Sequence, residues 1–485
     1  MITLILLFLP LISGLICLAL PRNWVKNFAF ISSLVNLGLI IYTWTQGSVV
    51  SDWTKVNMLW VESLGIHFKL GLDGISLLMV FLTNLTLPLI ILSSFKTEYS
   101  KPNLFYFLIL FMQTGLIGVF TSLDGFLFYV AWEIALIPIY FISGMWGGQH
   151  RAKITLKFFI YTITGSLFML LGIIYLYLLT PQRSFDIDQF YALNINGTTQ
   201  NLIFLSFFLA FAIKVPIFPF HTWQPDTYTD APTQGSMLLG GIMLKMGLYG
   251  IIRWLLPISP KALALFSPYI LVLAVTGVVY AGIIAFRQSD LKRLLAYSSL
   301  SHVGLIAAAL FVNSYFGIQG GLIQMLSHAV NIVGLFYVVS LVQKQAGTRD
   351  INLLGGIAAK APVLATCFLI IVLGSVALPL TDGFVGEFLM LKSLFEYNII
   401  LSIVAGTTLI LGAVYMLRMY QKIMLGEETV HTQSFVDIKG TDRISLILIC
   451  LLVILIGVYP NPILNLTKPD VVKILVEVST KLNLH

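Results

Sequence analysis

The chain has 485 residues, 58% of them hydrophobic and only 10% charged, with a formal net charge of +7; soluble domains carry about 25% charged residues. Mean hydropathy is +0.93 and apolar runs follow one another along the whole length, which excludes a soluble globular protein and indicates a polytopic membrane protein. The basic residues are scattered over loops without a basic domain, so the charge points to the lipid bilayer and not to nucleic acid.

The opening MITLILLFLPLISGLICLAL has no cationic region ahead of its apolar run and no small-residue cleavage site, and reads as a retained first span. In chain order, helical spans are predicted at 2–20, 27–45, 73–94, 104–122, 124–145, 154–179, 200–222, 231–256, 263–286, 293–312, 315–343, 362–396, 400–424 and 443–464. The alternation of a membrane β-barrel is absent. The expected fold is an all-α polytopic bundle of about 14 transmembrane helices. The tail TKPDVVKILVEVSTKLNLH predicts a short amphipathic helix at the outer surface. Cys17, Cys367 and Cys450 lie in separate apolar runs, with neither metal-ligand spacing nor a disulfide framework, and read as small buried hydrophobes.

Loops after odd-numbered spans hold 16 lysines and arginines against eight for the even-numbered loops and tail. Basic residues stay on the cytoplasmic side, so both termini are expected outside, in the periplasm of a bacterial inner membrane. The other four, Lys157, Lys214, Lys245 and Lys392, fall within predicted spans. Lys157 lies close enough to a span end to snorkel.

The seventh span reads NLIFLSFFLAFAIKVPIFPFHTWQPDT, placing Lys214 deep in an apolar run with Pro216, Pro219 and Pro225 after it and His221 between them. The twelfth reads VALPLTDGFVGEFLM, broken by Pro379 and Gly383 with Glu387 just beyond. Two interrupted helices five spans apart, each with an ionisable group, are the signature of an inverted repeat. The predicted organisation is three N-terminal spans (1–103), a first repeat of five (104–256), a second (263–424), and a last span with the tail (425–485). Gly383 and Gly386 are expected to leave the backbone beside Glu387 open to water.

Glu133, Lys245, His302 and His328 also lie near span centres. A central charge costs at least ~2.5–3.5 kcal/mol on insertion scales, so it needs a partner or water. Glu133 and Glu387 are expected to offset Lys214 and Lys245. Lys, Glu and His all exchange protons, whereas central lysines repel Na⁺; the set reads as a proton conduit. Two charges about 5 Å apart interact by ~3 kcal/mol at an effective dielectric near 20. Moving one charge through 150 mV costs roughly 3.5 kcal/mol. Making or breaking one such pair therefore matches the work of moving one proton.

The stretches FYVAWEIALIPIYFISGMWGG, AFAIKVPIFPFHTWQPD, DAPTQGSMLLGGIMLKMGLYG, SDLKRLLAYSSLSHVG, QMLSHAVNIVGLF and LPLTDGFVGEFLML together resemble the antiporter-like membrane subunits of respiratory complex I (NADH:quinone oxidoreductase), of the M or subunit-4 type. The resemblance implies proton translocation along Glu133, paired with Lys214, then Lys245, His302, His328 and Glu387. Most sister chains carry lysine where Glu387 stands, so Glu387 assigns the subtype. His221, Lys292, Arg349 and Asp350 are implied as entry or structural groups. The chain departs from the family at Gln224 and Tyr228, where Leu and His are usual, which removes an expected cytoplasmic surface histidine. A histidine frequent before Thr348-Arg349-Asp350 is Gly347 here. No Gly-rich dinucleotide turn or cluster-ligand cysteine set is present. Cofactors are thus expected only in partner subunits: FMN, iron–sulfur clusters, NADH and quinone, reached through L-, N-, K-, J-, A- and H-type membrane chains and the peripheral arm. A subunit of a multi-chain Mrp-type Na⁺/H⁺ antiporter, or of a proton-pumping membrane hydrogenase, is the alternative.

The orientation is testable directly. A single cysteine placed in loop 344–361 is expected to react with an impermeant maleimide only in inverted vesicles. Labelling from the outside of intact cells would reverse the topology.

Overall fold

The structure, a computed structural model, describes residues 1–46 and 54–483. Among the described residues, thirteen helices are long and apolar enough to cross a membrane. The twelfth span adds a crossing in two pieces, Pro362–Ser375 and Asp382–Tyr397, so the chain is a multi-pass α-helical bundle of fourteen spans. The eighth (Thr233–Ile258) and tenth (Leu291–Phe311) are buried throughout, whereas the second (Arg22–Thr45) and thirteenth (Ile399–Met424) turn most of their surface outward. The centre of the bundle is where the ionisable residues sit.

The inverted repeat is visible in hydrogen bonds. Asp124 caps the fifth span (Gly125–Trp146) by accepting from Phe126 and Leu127 N–H. Its neighbours pair with the loop after the sixth span, Gly125 N–H to Phe185 O (2.8 Å) and Ile187 N–H to Leu123 O (3.0 Å). Asp290 caps the tenth span by accepting from Arg293 N–H. There Leu291 N–H bonds Arg349 O (3.0 Å) and Ile351 N–H bonds Ser289 O (2.9 Å). Asp124 bridges Asp186, and Asp290 bridges Asp350. Five spans separate the two bridges, an odd number, so the same device lies at opposite ends of the bundle.

Several expectations are corrected. The seventh span does not run to 222: it is helical over Gly197–Lys214 and again over Gln224–Asp230. Pro216 and Pro219 lack the N–H that would continue the helix. The twelfth span breaks over 376–381, and Gly383 is not part of the break. Gly383 lies inside the second half, where a Cβ would come 2.4 Å from the Gly374 carbonyl. The last span ends at Val458, before Pro460 and Pro462, and the tail is not short: a 23-residue helix runs Asn461–Asn483. The tail's final two residues lie outside the described ones. This helix is tied to the bundle: Gly74 N–H donates to Asp470 Oδ2 (2.7 Å) and Thr467 Oγ1 donates to Gln319 Oε1 (2.9 Å).

A hairpin was not expected at all. Strand β1 (Val56–Val61) pairs antiparallel with β2 (Ile66–Leu70) through Gly65 at φ +63°. Its signal was the apolar alternation Val56, Met58, Trp60 and Ile66, Phe68, Leu70.

Small residues decide where helices cross. A Cβ on Gly386 would lie 2.3 Å from Gln324 Oε1, and one on Gly320 would lie 2.9 Å from Met390 N. The eleventh span (Tyr315–Ala346) and the second half of the twelfth therefore touch backbone to side chain, the small-residue packing of membrane helices. Gly386 is covered by this contact and does not open Glu387 to water. Gly386→Leu is expected to push these helices apart at a cost of about 1–3 kcal/mol, measured as a lower Tm of the assembled protein; an unchanged Tm would contradict the packing.

Candidate functional site

The eighth span carries Lys245 between two π-helical turns, 239–243 and 251–255. The first contains Gly240 and Gly241, where added Cβ atoms would meet Tyr228 at 3.1 Å and Val333 at 2.9 Å. This close approach brings the eighth span against the eleventh. A π turn takes carbonyls out of the regular ladder, and Lys245 Nζ donates to Gly240 O at 2.7 Å. The same Nζ lies 2.8 Å from His328 Nδ1. On the far side, His302 Nδ1 lies 3.0 Å from Glu387 Oε1. The two imidazoles are neighbours, with ring centroids 6.2 Å apart and planes inclined at 58°. All four side chains are buried.

This corrects the expected pairing of carboxylates with ammoniums. Lys245 and Glu387 each meet an imidazole, because helix register brings a histidine between them. Glu133 and Lys214 are not in direct contact either: Glu133 Oε1 and Lys214 Nζ have no hydrogen-bond partner among the described residues. Lys214 Nζ lies over the rings of Trp132 (5.7 Å) and Phe158 (5.8 Å), a cation–π setting. Lys214 is the last helical residue before the break, and its Cβ lies 3.2 Å from the Cβ position of Gly247, two residues beyond Lys245.

The hydrogen bonds fix what this row can do chemically. With Lys245 donating, His328 Nδ1 accepts and its proton sits on Nε2. With Glu387 accepting, His302 Nδ1 donates and Nε2 carries the lone pair. Both Nε2 atoms lack protein partners among the described residues. In these tautomers one ring offers a donor and the other an acceptor, with ring centroids 6.2 Å apart.

The other predicted residues stand apart from this row. His221 is buried with its ring against Phe218 and Tyr280, centroids 5.5 and 5.1 Å away. Lys292 Nζ donates to Ala231 O (2.7 Å), pinning the turn between the seventh and eighth spans. Arg349 donates to Thr229 O (3.0 Å) and pairs with Asp290 (3.1 Å). Asp350 accepts from Asn352 N–H (2.9 Å). Lys157 donates to Thr222 O (2.7 Å) and pairs with Asp226 (3.1 Å). Lys392 sits in the C-terminal part of its helix over the Phe316 ring (3.3 Å) with Glu396 beside it (3.4 Å). Gln224 and Tyr228 are fully buried, so the departure from the family lies inside the bundle and not at its surface.

Asp382 was missed. It is fully buried, accepts from Asn331 Nδ2 (3.0 Å), receives Ser327 Oγ on its carbonyl (2.7 Å) and leaves Oδ2 unpartnered. Its signal was an acidic residue in the first turn after the break, where a helix N-terminus favours negative charge. Gln324, Ser327 and Asn331 thus present a polar face of the eleventh span to the twelfth, Gln324 Nε2 reaching Glu387 Oε1 at 3.3 Å.

Residues 122–413, which include this row, match the family described as NADH:quinone oxidoreductase/Mrp antiporter, TM. The chain belongs to that family. It is 40% identical over 97% of its length, and 98% of the relative's, to NADH-quinone oxidoreductase subunit M of Rickettsia conorii. Among solved structures it is similar to a chain of respiratory complex I from Thermus thermophilus with bound NADH: TM-score 0.89, 29% identity, covering 98% of this chain and 100% of that one. A chain of the Mrp complex from a Dietzia species shares the fold at 21% identity and TM-score 0.85, with 99% of this chain covered and 52% of that one.

In this family member, His328→Phe would leave Lys245 with Gly240 O as its one acceptor among the described residues. The expected cost is about 1–3 kcal/mol, read as a lower Tm, with His328→Gln restoring part through its amide oxygen. Equal stability of the wild type and His328→Phe would show that the contact carries no weight.

Proposed function

We propose that this chain is a membrane-arm subunit of an NADH:quinone oxidoreductase of the respiratory complex I type and moves protons across the bilayer, coupled to electron transfer from NADH to quinone in other subunits. The observation that carries the reading is the buried row Lys245–His328 and His302–Glu387, whose two imidazole Nε2 atoms have no partner among the described residues. Glu133 and Lys214 load the row from the first repeat, 104–256. Lys245 and His328 relay, and His302 delivers to Glu387 in the second, 263–424. Asp382 steadies the broken twelfth helix beside it. Redox centres belong to partner chains, so NADH, FMN, iron–sulfur clusters and quinone bind elsewhere in the assembly, alongside L-, N-, K-, J-, A- and H-type membrane subunits. The protein sits in a bacterial inner membrane with both termini on the periplasmic side.

The similarity to the Mrp chain favours one second reading, cation/proton exchange in a multi-chain antiporter. Co-purified hydrophilic chains carrying flavin and clusters decide for the first reading; their absence from an intact, active complex decides for the second.

The functional test is proton pumping by reconstituted, fully assembled complex, with assembly checked on native gels. Glu387→Gln is expected to lower pumping by about a hundredfold or more, the scale for loss of an acid–base group, because an amide does not change protonation state. Glu387→Asp retains part of the activity. Glu133→Gln is expected to lose most pumping as well. Wild-type pumping by assembled Glu387→Gln would remove Glu387 from the path.

A further inference from the structure

Where the ninth span (Pro260–Arg287) and the thirteenth end side by side, a cavity of about 300 Å³ is lined by Arg287, Arg418 and Lys422 and by no carboxylate. None of the three cations forms an ion pair among the described residues. Arg418 donates to Phe286 O (3.1 Å) and stacks over the Phe286 ring (4.6 Å); Lys422 donates to Asn352 Oδ1 (2.9 Å). The nearby acids are engaged, Asp290 with Arg349 (3.1 Å) and Asp350 with Asn352 N–H (2.9 Å). Three cations held at one place on the bundle, with no anion of their own, lack only a negatively charged ligand.

The same two helices continue into an apolar groove of about 470 Å³, lined by Val275, Val279, Tyr280, Ile283, Leu401 and Val404 among others. Ile283, Tyr280 and Val404 are exposed on its walls. On the ninth span Ile283 and Val279 lie about 5 and 11 Å along the helix from Phe286, and on the thirteenth Val404 lies about 21 Å from Arg418, so the groove starts beside the cavity and runs past the ~15 Å depth of one leaflet, over the length of an extended acyl chain. The basic count puts these helix ends on the cytoplasmic side, where the leaflet carries anionic lipid.

We propose that the Arg287–Arg418–Lys422 cavity and the groove below it form a binding site for one anionic phospholipid, its phosphate held by the three cations and an acyl chain laid between the ninth and thirteenth spans. The proposal is independent of the proton-path reading and survives its failure. The charge arrangement selects an anionic head group, and the adjoining groove selects a lipid over free phosphate.

The test is photo-crosslinking in the intact complex with phosphatidylglycerol carrying a diazirine in its acyl chain, mapped by peptide mass spectrometry. Labelling is expected on 272–286 and 401–411, and not from the matched phosphatidylcholine probe. Each cation near a membrane surface contributes about fivefold, so Arg287→Gln/Arg418→Gln/Lys422→Gln is expected to weaken labelling about a hundredfold. If that variant does not assemble, the charge-keeping Arg287→Lys/Arg418→Lys/Lys422→Arg must keep labelling, and Val404→Trp, which fills the groove and leaves the cations, must lose it. Equal labelling by phosphatidylcholine, undiminished labelling of the neutral variant, or displacement by millimolar inorganic phosphate would each overturn the proposal.

Discussion

A lysine ammonium in hydrocarbon must be satisfied by the protein, and at Lys245 the whole centre of the bundle is arranged around that demand. Its two partners, Gly240 O and His328 Nδ1 at 2.7 and 2.8 Å, require a π turn on its own helix and a glycine contact with the eleventh span. The position of His328 then sets where His302 and Glu387 lie, because the tenth, eleventh and twelfth spans pack on one another through Gly320, Gly321 and Gly386. Backbone polar groups face the same demand. The non-helical segments at 215–223 and 376–381 are enclosed only in part: Val215, Ile217, Trp223, Ala377 and Thr381 are buried, whereas Pro219, Leu378 and Leu380 are exposed.

The two breaks serve different ends. In the seventh span the helix stops at Lys214 and frees an ammonium that meets aromatic faces and, at a distance, Glu133. In the twelfth the second half begins at Asp382, so a helix N-terminus and a carboxylate lie together, with Glu387 one turn further on. A cation beside a helix C-terminus and an anion beside an N-terminus are each favoured by the helix dipole. The repeat thus reuses one backbone device with charges of opposite sign.

Much of this was legible beforehand. Runs of apolar residues, the proline clusters and the isolated charges marked the spans, the breaks and every member of the buried row, because each signal is local. What stayed hidden depends on register between distant segments. His328 lies 83 positions from Lys245 and Glu387 lies 85 from His302, so composition favoured opposite charges as partners and missed the imidazoles between them. The π turns leave no residue signature beyond two glycines. The hairpin at 56–70 was masked by its length, too short for a span and flanked by stronger signals. Asp382 stood in a quoted stretch, yet its importance rests on burial, which sequence does not display.

The central claim is that Glu387 changes protonation state as the complex turns over. Difference infrared spectroscopy of the assembled protein tests it most directly, with ¹³C-labelled glutamate to identify carboxyl bands. The account predicts a carboxylic-acid band that appears and decays with turnover, shifts with the isotope and is absent from Glu387→Gln. A fully active complex with the same carboxyl bands in wild type and Glu387→Gln would contradict it.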